Sequence, residues 1–246
     1  MTQRRNADYQ WDAFDPMWYQ QYNYADLRDD DKKILELVRN HFLEAKLPDD
    51  ARGIDVGPGA NLYPSLAMLP LCADIMLVDY SASNVGWLRD ELDRGYGASW
   101  DAFWQVLHEE PRYRSVEDPR SRLRAVARVE QGSVFTLPEA QWDIGTMFFV
   151  AESITGERTE FRAAMERFLA SLRPGSPFAA TFMANSEGYR AGRMLLPAVA
   201  VEIEDIAVCL RGLTGQVRLT KVIPSYPPLR DGYDGLILAT GWTAEP

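Results

Sequence analysis

The fold is decided by the stretch Gly53-Ile54-Asp55-Val56-Gly57-Pro58-Gly59-Ala60-Asn61, an apolar run that breaks into a turn with two glycines. A second apolar run, Ile75-Met76-Leu77-Val78-Asp79-Tyr80-Ser81, places an acid 20 residues after Gly59. A glycine turn lets a ligand approach the backbone closely, and an acid at the tip of the next parallel strand can bind a ribose diol. The pair predicts a nucleoside bound across the edge of an α/β sheet.

The residues around the turn narrow the class of nucleoside. A dinucleotide fingerprint needs a third glycine at the position of Leu62, and a phosphate-binding P-loop needs Gly-Lys-Ser/Thr, which does not follow the glycines. An Asp-x-Gly-x-Gly turn without phosphate-binding residues suits S-adenosylmethionine, which carries a ribose, an adenine, a sulfonium and an amino acid but no phosphate. The alternative is a tight strand-to-helix turn without a ligand, which the offset of Asp79 disfavours.

Composition limits the number of domains and the kinds of partner. The 246 residues, 46% of them hydrophobic, suffice for one α/β domain. The net charge of −10, without a basic block, disfavours nucleic acid as a partner. Two separated cysteines and two histidines show no ligand spacing, so we expect neither a disulfide framework nor a metal site. Without a signal peptide or a membrane-length apolar segment, we expect a cytoplasmic protein with no membrane partner, and its oligomeric state stays open.

Alternating apolar segments predict the order of the elements. Strands are expected near 52–56, 74–79, 125–130, 142–150, 178–183, 217–222 and 235–240, and helices near 30–47, 62–69, 84–92, 160–172 and 201–210. This alternation predicts the α/β class, with a doubly wound, seven-stranded, mostly parallel Rossmann-like sheet in a single domain, 1–246. Residues 1–47 are expected to form an aromatic segment that packs on the rest of the protein, followed by a helix, and 93–123 an inserted cap. The insertion's Trp100, Phe103 and Trp104 form either the cap's own core or a roof over the substrate.

These motifs resemble class I S-adenosylmethionine-dependent methyltransferases, and more narrowly the family of nicotinamide, phenylethanolamine and thioether methyltransferases. The resemblance covers nearly the whole chain, although its specific motifs lie in the first half. It is carried by Phe14-Asp15-Pro16 with Tyr19 and Tyr24, by Asp55 to Gly59 through Tyr63, by Asp79-Tyr80-Ser81 with Asn84, and by Leu172-Arg173-Pro174-Gly175, and extends loosely to Ser225-Tyr226 and Asp234-Gly235.

The resemblance implies a cofactor role for each matching residue. Residues 1–47 would form an N-terminal helical lid and a helix, and Tyr19 and Tyr24 would close that lid over the methionine end of S-adenosylmethionine. The motif residue Asp55 precedes Gly57 and Gly59, which with Tyr63 would line that end. Asp79 would hold the ribose hydroxyls, with Tyr80 and Asn84 near the adenosine. The family commonly has an acid near the adenine amine, where this chain has Ser133 followed by Val134; a serine hydroxyl can still accept a hydrogen bond there.

The methyl acceptor is less determined than the cofactor. The resemblance implies a small molecule, methylated at an amine or a nitrogen heterocycle, although the scaffold also supports methylation at carbon, oxygen or sulfur, or a non-catalytic binding protein. Glu152 at the end of the fourth strand is the first candidate to hold or deprotonate an amine, with a capping carboxylate as the alternative. Glu187 is the second catalytic candidate. The expected substrate-binding residues are Phe149, Tyr189, Tyr226, Asp231 and Asp234.

Overall fold

The computed structural model describes residues 4–229 and 232–245. In that part of the chain the strands are β1 (Arg52–Val56), β2 (Asp74–Asp79), β3 (Ala127–Gln131), β4 (Ile144–Phe148), β5 (Pro177–Met183), β6 (Gly188–Ala191), β7 (Met194–Pro197), β8 (Thr214–Val222) and β9 (Leu236–Thr243). The helices are α1 (Pro16–Tyr24), α2 (Asp29–Glu44), α3 (Tyr63–Met68), α4 (Ala82–Arg94), α5 (Asp101–His108), α6 (Pro111–Arg114), α7 (Pro119–Val126), α8 (Arg158–Ser171) and α9 (Ile203–Leu210). No helix in these ranges is both long and apolar enough to cross a membrane.

Seven strands form one sheet in the order β3-β2-β1-β4-β5-β9-β8. The pairs from β3 through β5 are parallel, and β9 runs antiparallel to both of its neighbours. This confirms the predicted doubly wound, mostly parallel Rossmann-like sheet. The order reverses between β1 and β4, and the crevice at the carboxyl ends of the strands at such a switch point is where ligands bind in this architecture.

Helices cover both faces of the sheet because successive side chains of a strand point to opposite sides. On β2, Ile75 and Leu77 join the core under α2, α3 and α5, whereas Met76 and Val78 join the core under α8 and α9. The helix predicted over 30–47 is α2. The acidic side chains of its first turn stabilise it, because they lie at the positive end of the helix dipole. Its apolar stripe of Ile34, Leu35, Val38 and Phe42 is fully buried.

The insertion folds against the body of the protein. Its helix α5 contacts α2 and α3, and Trp100 and Phe103 are completely buried. The buried Arg39 of α2 forms an ion pair with Glu109 of the insertion at 3.0 Å. Of the two interpretations of the insertion's aromatic residues, the structure therefore supports a packed core.

The segment between β5 and α9 forms a β-hairpin, β6–β7, that the sequence pattern did not predict. The strands are only four residues long, and a short hairpin leaves little periodic signal. The hairpin packs Ala191 and Leu196 against Trp11 and Phe14 of the N-terminal segment. This contact brings the hairpin to the same edge of the sheet as the glycine turn.

Candidate functional site

The glycine turn after β1 has a conformation that requires glycine. Gly57 and Gly59 have φ angles of 64° and 58°, in the left-handed region where a Cβ is strained. A Cβ on Gly57 would also lie 2.8 Å from Cγ2 of Val150. The turn is held by a 2.7 Å hydrogen bond from the Gly57 N–H to the carbonyl of Val78 on β2.

Asp79 ends β2 beside this turn, where it is 5% exposed. Its Oδ2 accepts a hydrogen bond from the Gly59 N–H at 2.8 Å, and its Oδ1 accepts from the Ser81 N–H at 2.9 Å and from Nδ2 of Asn84 at 3.1 Å. Burial raises the pKa of Asp79, and these three donors oppose the rise. The donors therefore hold the carboxylate in one orientation at the edge of the sheet.

One cavity joins these groups. The predicted site residues that line it are Tyr19, Tyr24, Gly57, Gly59, Asp79, Tyr80, Asn84, Ser133, Val134, Phe149 and Tyr189. The structure thus brings together nine predicted cofactor residues and two predicted substrate residues. The carboxyl ends of β1, β2, β3 and β4 position most of them, as the switch-point rule requires.

The wall after β3 is built around Gly132 and Ser133. A Cβ on Gly132 would lie 2.9 Å from Cγ1 of Val78, so this wall also needs a glycine. Oγ of Ser133 accepts a 3.3 Å hydrogen bond from the Phe135 N–H, which fixes the side chain at the start of a short 3-10 turn. Ser133 and Val134 both line the cavity at the place expected for an adenine.

The N-terminal segment roofs the cavity through Asn6, Trp11 and Phe14. Three hydrogen bonds tie this segment to the start of α4: Oγ of Ser81 to the Trp11 carbonyl at 2.7 Å, the Ala82 N–H to Oδ1 of Asp12 at 2.7 Å, and Oγ of Ser83 to the Phe14 carbonyl at 2.9 Å. Nδ2 of Asn6 anchors the segment at its other end by donating to the Ile154 carbonyl at 3.1 Å.

Aromatic rings surround the end of the cavity below the lid helix α1. The ring centroids of Tyr19 lie 5.1 Å from Phe14, 6.1 Å from Tyr24 and 6.3 Å from Tyr189. Phe149 contributes to the same end with a φ of 59°, a strained left-handed conformation for an aromatic residue. The hairpin thus supplies Tyr189 and the lid helix supplies Tyr19, so two chain segments distant in sequence enclose one aromatic space.

Two predicted cofactor residues lie in the wall and do not line the cavity. Asp55 is completely buried in β1, where its carboxylate accepts hydrogen bonds from Ser65 Oγ at 2.7 Å and Thr146 Oγ1 at 2.9 Å. Tyr63 is also completely buried, and its hydroxyl donates to Oδ1 of Asp31 at 3.2 Å. Both residues support the site indirectly. Asp55 connects β1 to its neighbours through its hydrogen bonds, and the Tyr63 ring packs edge-on against Tyr24 with 6.0 Å between the ring centroids.

The predicted catalytic acids are likewise outside the cavity lining. Glu152 has no exposed surface, and its Oε1 accepts hydrogen bonds from the Met183 N–H and Ser153 Oγ, both at 3.1 Å. It therefore joins the ends of β4 and β5. Glu187 is exposed at the start of the hairpin.

The remaining substrate predictions lie around the loop before β9. Tyr226 is 95% exposed, and Asp234 accepts a 2.7 Å hydrogen bond from Nδ2 of Asn185 at the surface. Neither residue lines the cavity. Asp231 falls outside the described residues.

The polar and aromatic groups of the site fit S-adenosylmethionine. Oδ1 of Asn84 is buried at the cavity wall with no hydrogen-bond partner among the described residues, and Asp79 presents a carboxylate beside it. A ribose diol can supply the O–H donor that Oδ1 of Asn84 lacks, and a second O–H donor to the Asp79 carboxylate. The cavity wall offers hydroxyl and apolar groups after β3 and aromatic rings under the lid, which match a neutral adenine and a sulfonium respectively.

Several residues of the lining were not among the predicted site residues, although Phe14, Pro58 and Ser81 belong to the motifs quoted above. They are Asn6, Trp11, Phe14, Val56, Pro58, Val78, Ser81, Gly132, Phe135, Phe148, Val150 and Ile154. Those beside a predicted residue at a strand end could have been found by adjacency. Asn6 and Trp11 could not, because the path of the roof segment has no periodic signal.

Comparisons with known proteins agree with this geometry. The model of the NNMT/PNMT/TEMT family matches residues 3–236. Indolethylamine N-methyltransferase of Mus musculus is 26% identical over 193 residues, covering 74% of this chain and 73% of that protein.

Solved structures share the fold at low identity. The N-methyltransferase NodS of Bradyrhizobium japonicum WM9 in complex with S-adenosylhomocysteine superimposes with a TM-score of 0.57 at 11% identity, covering 94% of this chain and all of that one. The Burkholderia thailandensis 1,6-didemethyltoxoflavin-N1-methyltransferase, with bound 1,6-didemethyltoxoflavin and S-adenosylhomocysteine, gives a TM-score of 0.51 at 15% identity over 87% of this chain and 78% of that one.

Proposed function

Because the chain belongs to the NNMT/PNMT/TEMT family, and is therefore an S-adenosylmethionine-dependent methyltransferase of small molecules, we propose that it methylates a nitrogen atom of an amine or a nitrogen heterocycle. The observation that carries the proposal is the aromatic enclosure of Tyr19, Phe149 and Tyr189 at the lidded end of the cavity. Aromatic faces attract cations and stack on flat rings.

Two further observations support a nitrogen acceptor. The net charge of −10 favours the approach of a cationic amine over that of an anion. The relative from Mus musculus is named as an N-methyltransferase, and it aligns with most of this chain. These observations favour nitrogen over carbon, oxygen or sulfur as the atom methylated.

The chain's part in the reaction is to bind, orient and exclude water. S-Adenosylmethionine supplies a methyl group on a positively charged sulfur, which is already an activated leaving group. Asp79 and Asn84 would hold the ribose, Ser133 and Val134 the adenine, and the glycine turn would let the amino acid end lie close to the backbone. Holding donor and acceptor in line lowers a barrier by about 7–11 kcal/mol in well-oriented systems.

Glu152, which follows β4, would hold the end of β5 in place beside the acceptor. We expect Glu152 to act through the Met183 backbone it binds, as a positioning residue. Removal of its acceptor would leave a buried N–H unsatisfied at the end of β5, which costs about 1–3 kcal/mol.

The test is methyl transfer from labelled S-adenosylmethionine to matched sets of amines, nitrogen heterocycles, phenols and thiols, with the product atom identified by mass spectrometry and NMR. We expect transfer to a nitrogen acceptor. The Tyr189→Leu variant should raise KM for that acceptor, whereas Tyr226→Leu, at a 95% exposed position, is the matched control. Transfer to oxygen, sulfur or carbon only would overturn the proposal.

A further inference from the structure

A second, smaller cavity lies behind the tyrosines of the lid. Its wall shares Tyr19, Tyr24 and Phe149 with the cofactor cavity. The other side of its wall includes Asp30 and Asp31 of α2, which are 3% and 4% exposed. Two buried carboxylates therefore line a space that shares three aromatic side chains with the cofactor cavity.

The two carboxylates differ in how their charge is compensated. Asp30 has Nε of Arg28 at 3.5 Å, and it accepts hydrogen bonds from the Ser225 N–H at 2.9 Å and from Ser225 Oγ at 2.8 Å. Asp31 accepts the Tyr63 hydroxyl at 3.2 Å. Across residues 4–229 and 232–245, no Lys, Arg or His nitrogen lies within 4.0 Å of the Asp31 carboxylate. A buried carboxylate with no cation in contact is costly, because burial removes its solvation and one hydroxyl donor replaces only part of it.

The position of Asp31 connects this charge to the ligand. Tyr63, which holds Asp31, packs against Tyr24, and Tyr24 lines both cavities. The ammonium of an amino acid, or of an amine, is the kind of group that would complete a buried carboxylate beside an aromatic wall. We infer that Asp31 is the counter-ion of an ammonium group that a ligand brings to the smaller cavity.

Two ligands could carry that ammonium: the amino acid end of the cofactor, or the methyl acceptor. Only the second source rests on the proposed nitrogen methylation. The acidity of the site is consistent with either, because burial, followed by the charge of Asp30, raises the pKa of Asp31 to about 7, while Tyr63 and Arg28 oppose the rise. An approaching cation would stabilise the ionised form.

The experiment compares Asp31→Asn with Asp29→Asn, a matched change of charge at an exposed position of the same helix turn. Calorimetry at pH 8 gives the Kd of S-adenosylhomocysteine and of 5′-methylthioadenosine, which lacks the amino acid end. If the cofactor supplies the ammonium, Asp31→Asn should raise the Kd of S-adenosylhomocysteine on the order of tenfold and leave the Kd of methylthioadenosine unchanged. Asp29→Asn should change neither constant.

If the acceptor supplies the ammonium, Asp31→Asn should leave the Kd of both nucleosides unchanged. It should raise KM for an amine acceptor on the order of tenfold without changing kcat. The inference is overturned if S-adenosylhomocysteine binding and the amine KM both stay within about threefold of wild type. If N-methylation occurs with those constants unchanged, only this inference fails. If no nitrogen acceptor is methylated and S-adenosylhomocysteine binding is unchanged, both proposals fail.

A measurement on the wild-type protein answers the same question without a folding risk. The Kd of S-adenosylhomocysteine is compared with that of its analogue lacking the α-amino group, and the inhibition constant of an amine with that of its alcohol counterpart. In one of the two pairs, the compound without the amino group should bind on the order of tenfold more weakly than its partner. Equal constants within both pairs would overturn the inference.

Discussion

The backbone N–H of Gly59 donates a 2.8 Å hydrogen bond to Oδ2 of Asp79, and so fixes the glycine turn after β1 to the acid at the tip of β2. The second carboxylate oxygen is held by the Ser81 N–H and by Asn84 of α4. Two strand ends and one helix start are thereby locked into a single arrangement. A preformed arrangement costs less ordering entropy when a ligand binds.

Replacement of Asp79 by Asn tests this arrangement. The variant removes the charge that strengthens hydrogen bonds from a ribose diol, which are worth about 1.5–3 kcal/mol to a charged acceptor. We expect the Kd of S-adenosylhomocysteine to rise roughly 10–100-fold in calorimetry. The matched control is Asp74→Asn at the other end of β2, where the acid pairs with Arg128 at the surface. Equal affinities of wild type and Asp79→Asn would contradict the assigned role.

Replacement of Gly57 by Ala tests the turn itself. The new Cβ would meet Val150 at 2.8 Å and force a left-handed φ of 64° on alanine. We expect the free energy of unfolding to fall by about 1–3 kcal/mol in denaturant titrations. Gly86→Ala is the matched control, because a Cβ there meets nothing within 4 Å inside α4. It should raise the free energy of unfolding by about 0.5–1 kcal/mol. A stable Gly57→Ala variant would show that the turn tolerates a side chain.

The strand ends of the site could be predicted from the sequence because their signals are local. A buried apolar run followed by Gly57 and Gly59, and a second run ending in Asp79, each specify a strand and the turn that ends it. The parallel sheet then brings those turns to one edge regardless of the intervening sequence. Ser133 after β3 was expected from the family resemblance, and it lines the same cavity.

The roof and the acceptor wall could not be predicted in the same way because they depend on tertiary packing. Trp11 reaches the cavity through a segment with no periodic signal that is tied to α4. Tyr189 was among the predicted substrate residues, but it reaches the cavity through a short hairpin that the sequence pattern did not predict. Glu152 was expected to face a ligand because it follows β4, yet its carboxylate binds the Met183 backbone. A sequence shows that a polar residue follows a strand, but not whether its side chain turns toward the ligand crevice or toward the next strand.

The hydrogen bonds that hold the roof predict a kinetic effect. A double variant, Asp12→Ala with Ser83→Ala, removes two contacts between the N-terminal segment and α4. Each is worth about 0.5–1.5 kcal/mol, so S-adenosylhomocysteine should dissociate roughly 5–100-fold faster. Stopped-flow fluorescence can follow the release through Trp11, which lines the cavity.

The control for that experiment changes the same residue types away from the roof. Asp26 and Ser115 are exposed, and neither contacts the N-terminal segment through a hydrogen bond among the described residues. Their double replacement by Ala should leave the dissociation rate at the wild-type value. Similar rates for both double variants would mean that the two contacts of Asp12 and Ser83 do not govern release.

The buried carboxylate of Asp55 predicts how stability depends on pH. Burial raises the pKa of Asp55 to about 7, although the hydroxyls of Ser65 and Thr146 donate hydrogen bonds that oppose the rise. In the unfolded chain an aspartate titrates near about 3.9. Between these values the folded protein binds more protons than the unfolded one, so this group's contribution to the free energy of unfolding falls as pH rises from about 4 to about 7.

The Asp55→Asn variant lacks that titration. Any stability deficit of the variant relative to wild type should therefore shrink between pH 5 and pH 8 by at least the value of one pKa unit, about 1.4 kcal/mol. Urea titrations at pH 5, 6, 7 and 8 measure both curves, and Asp49→Asn at an exposed loop position should run parallel to wild type. Because Asn cannot ionise, parallel curves for wild type and Asp55→Asn would mean that Asp55 is already ionised throughout this range in the folded protein.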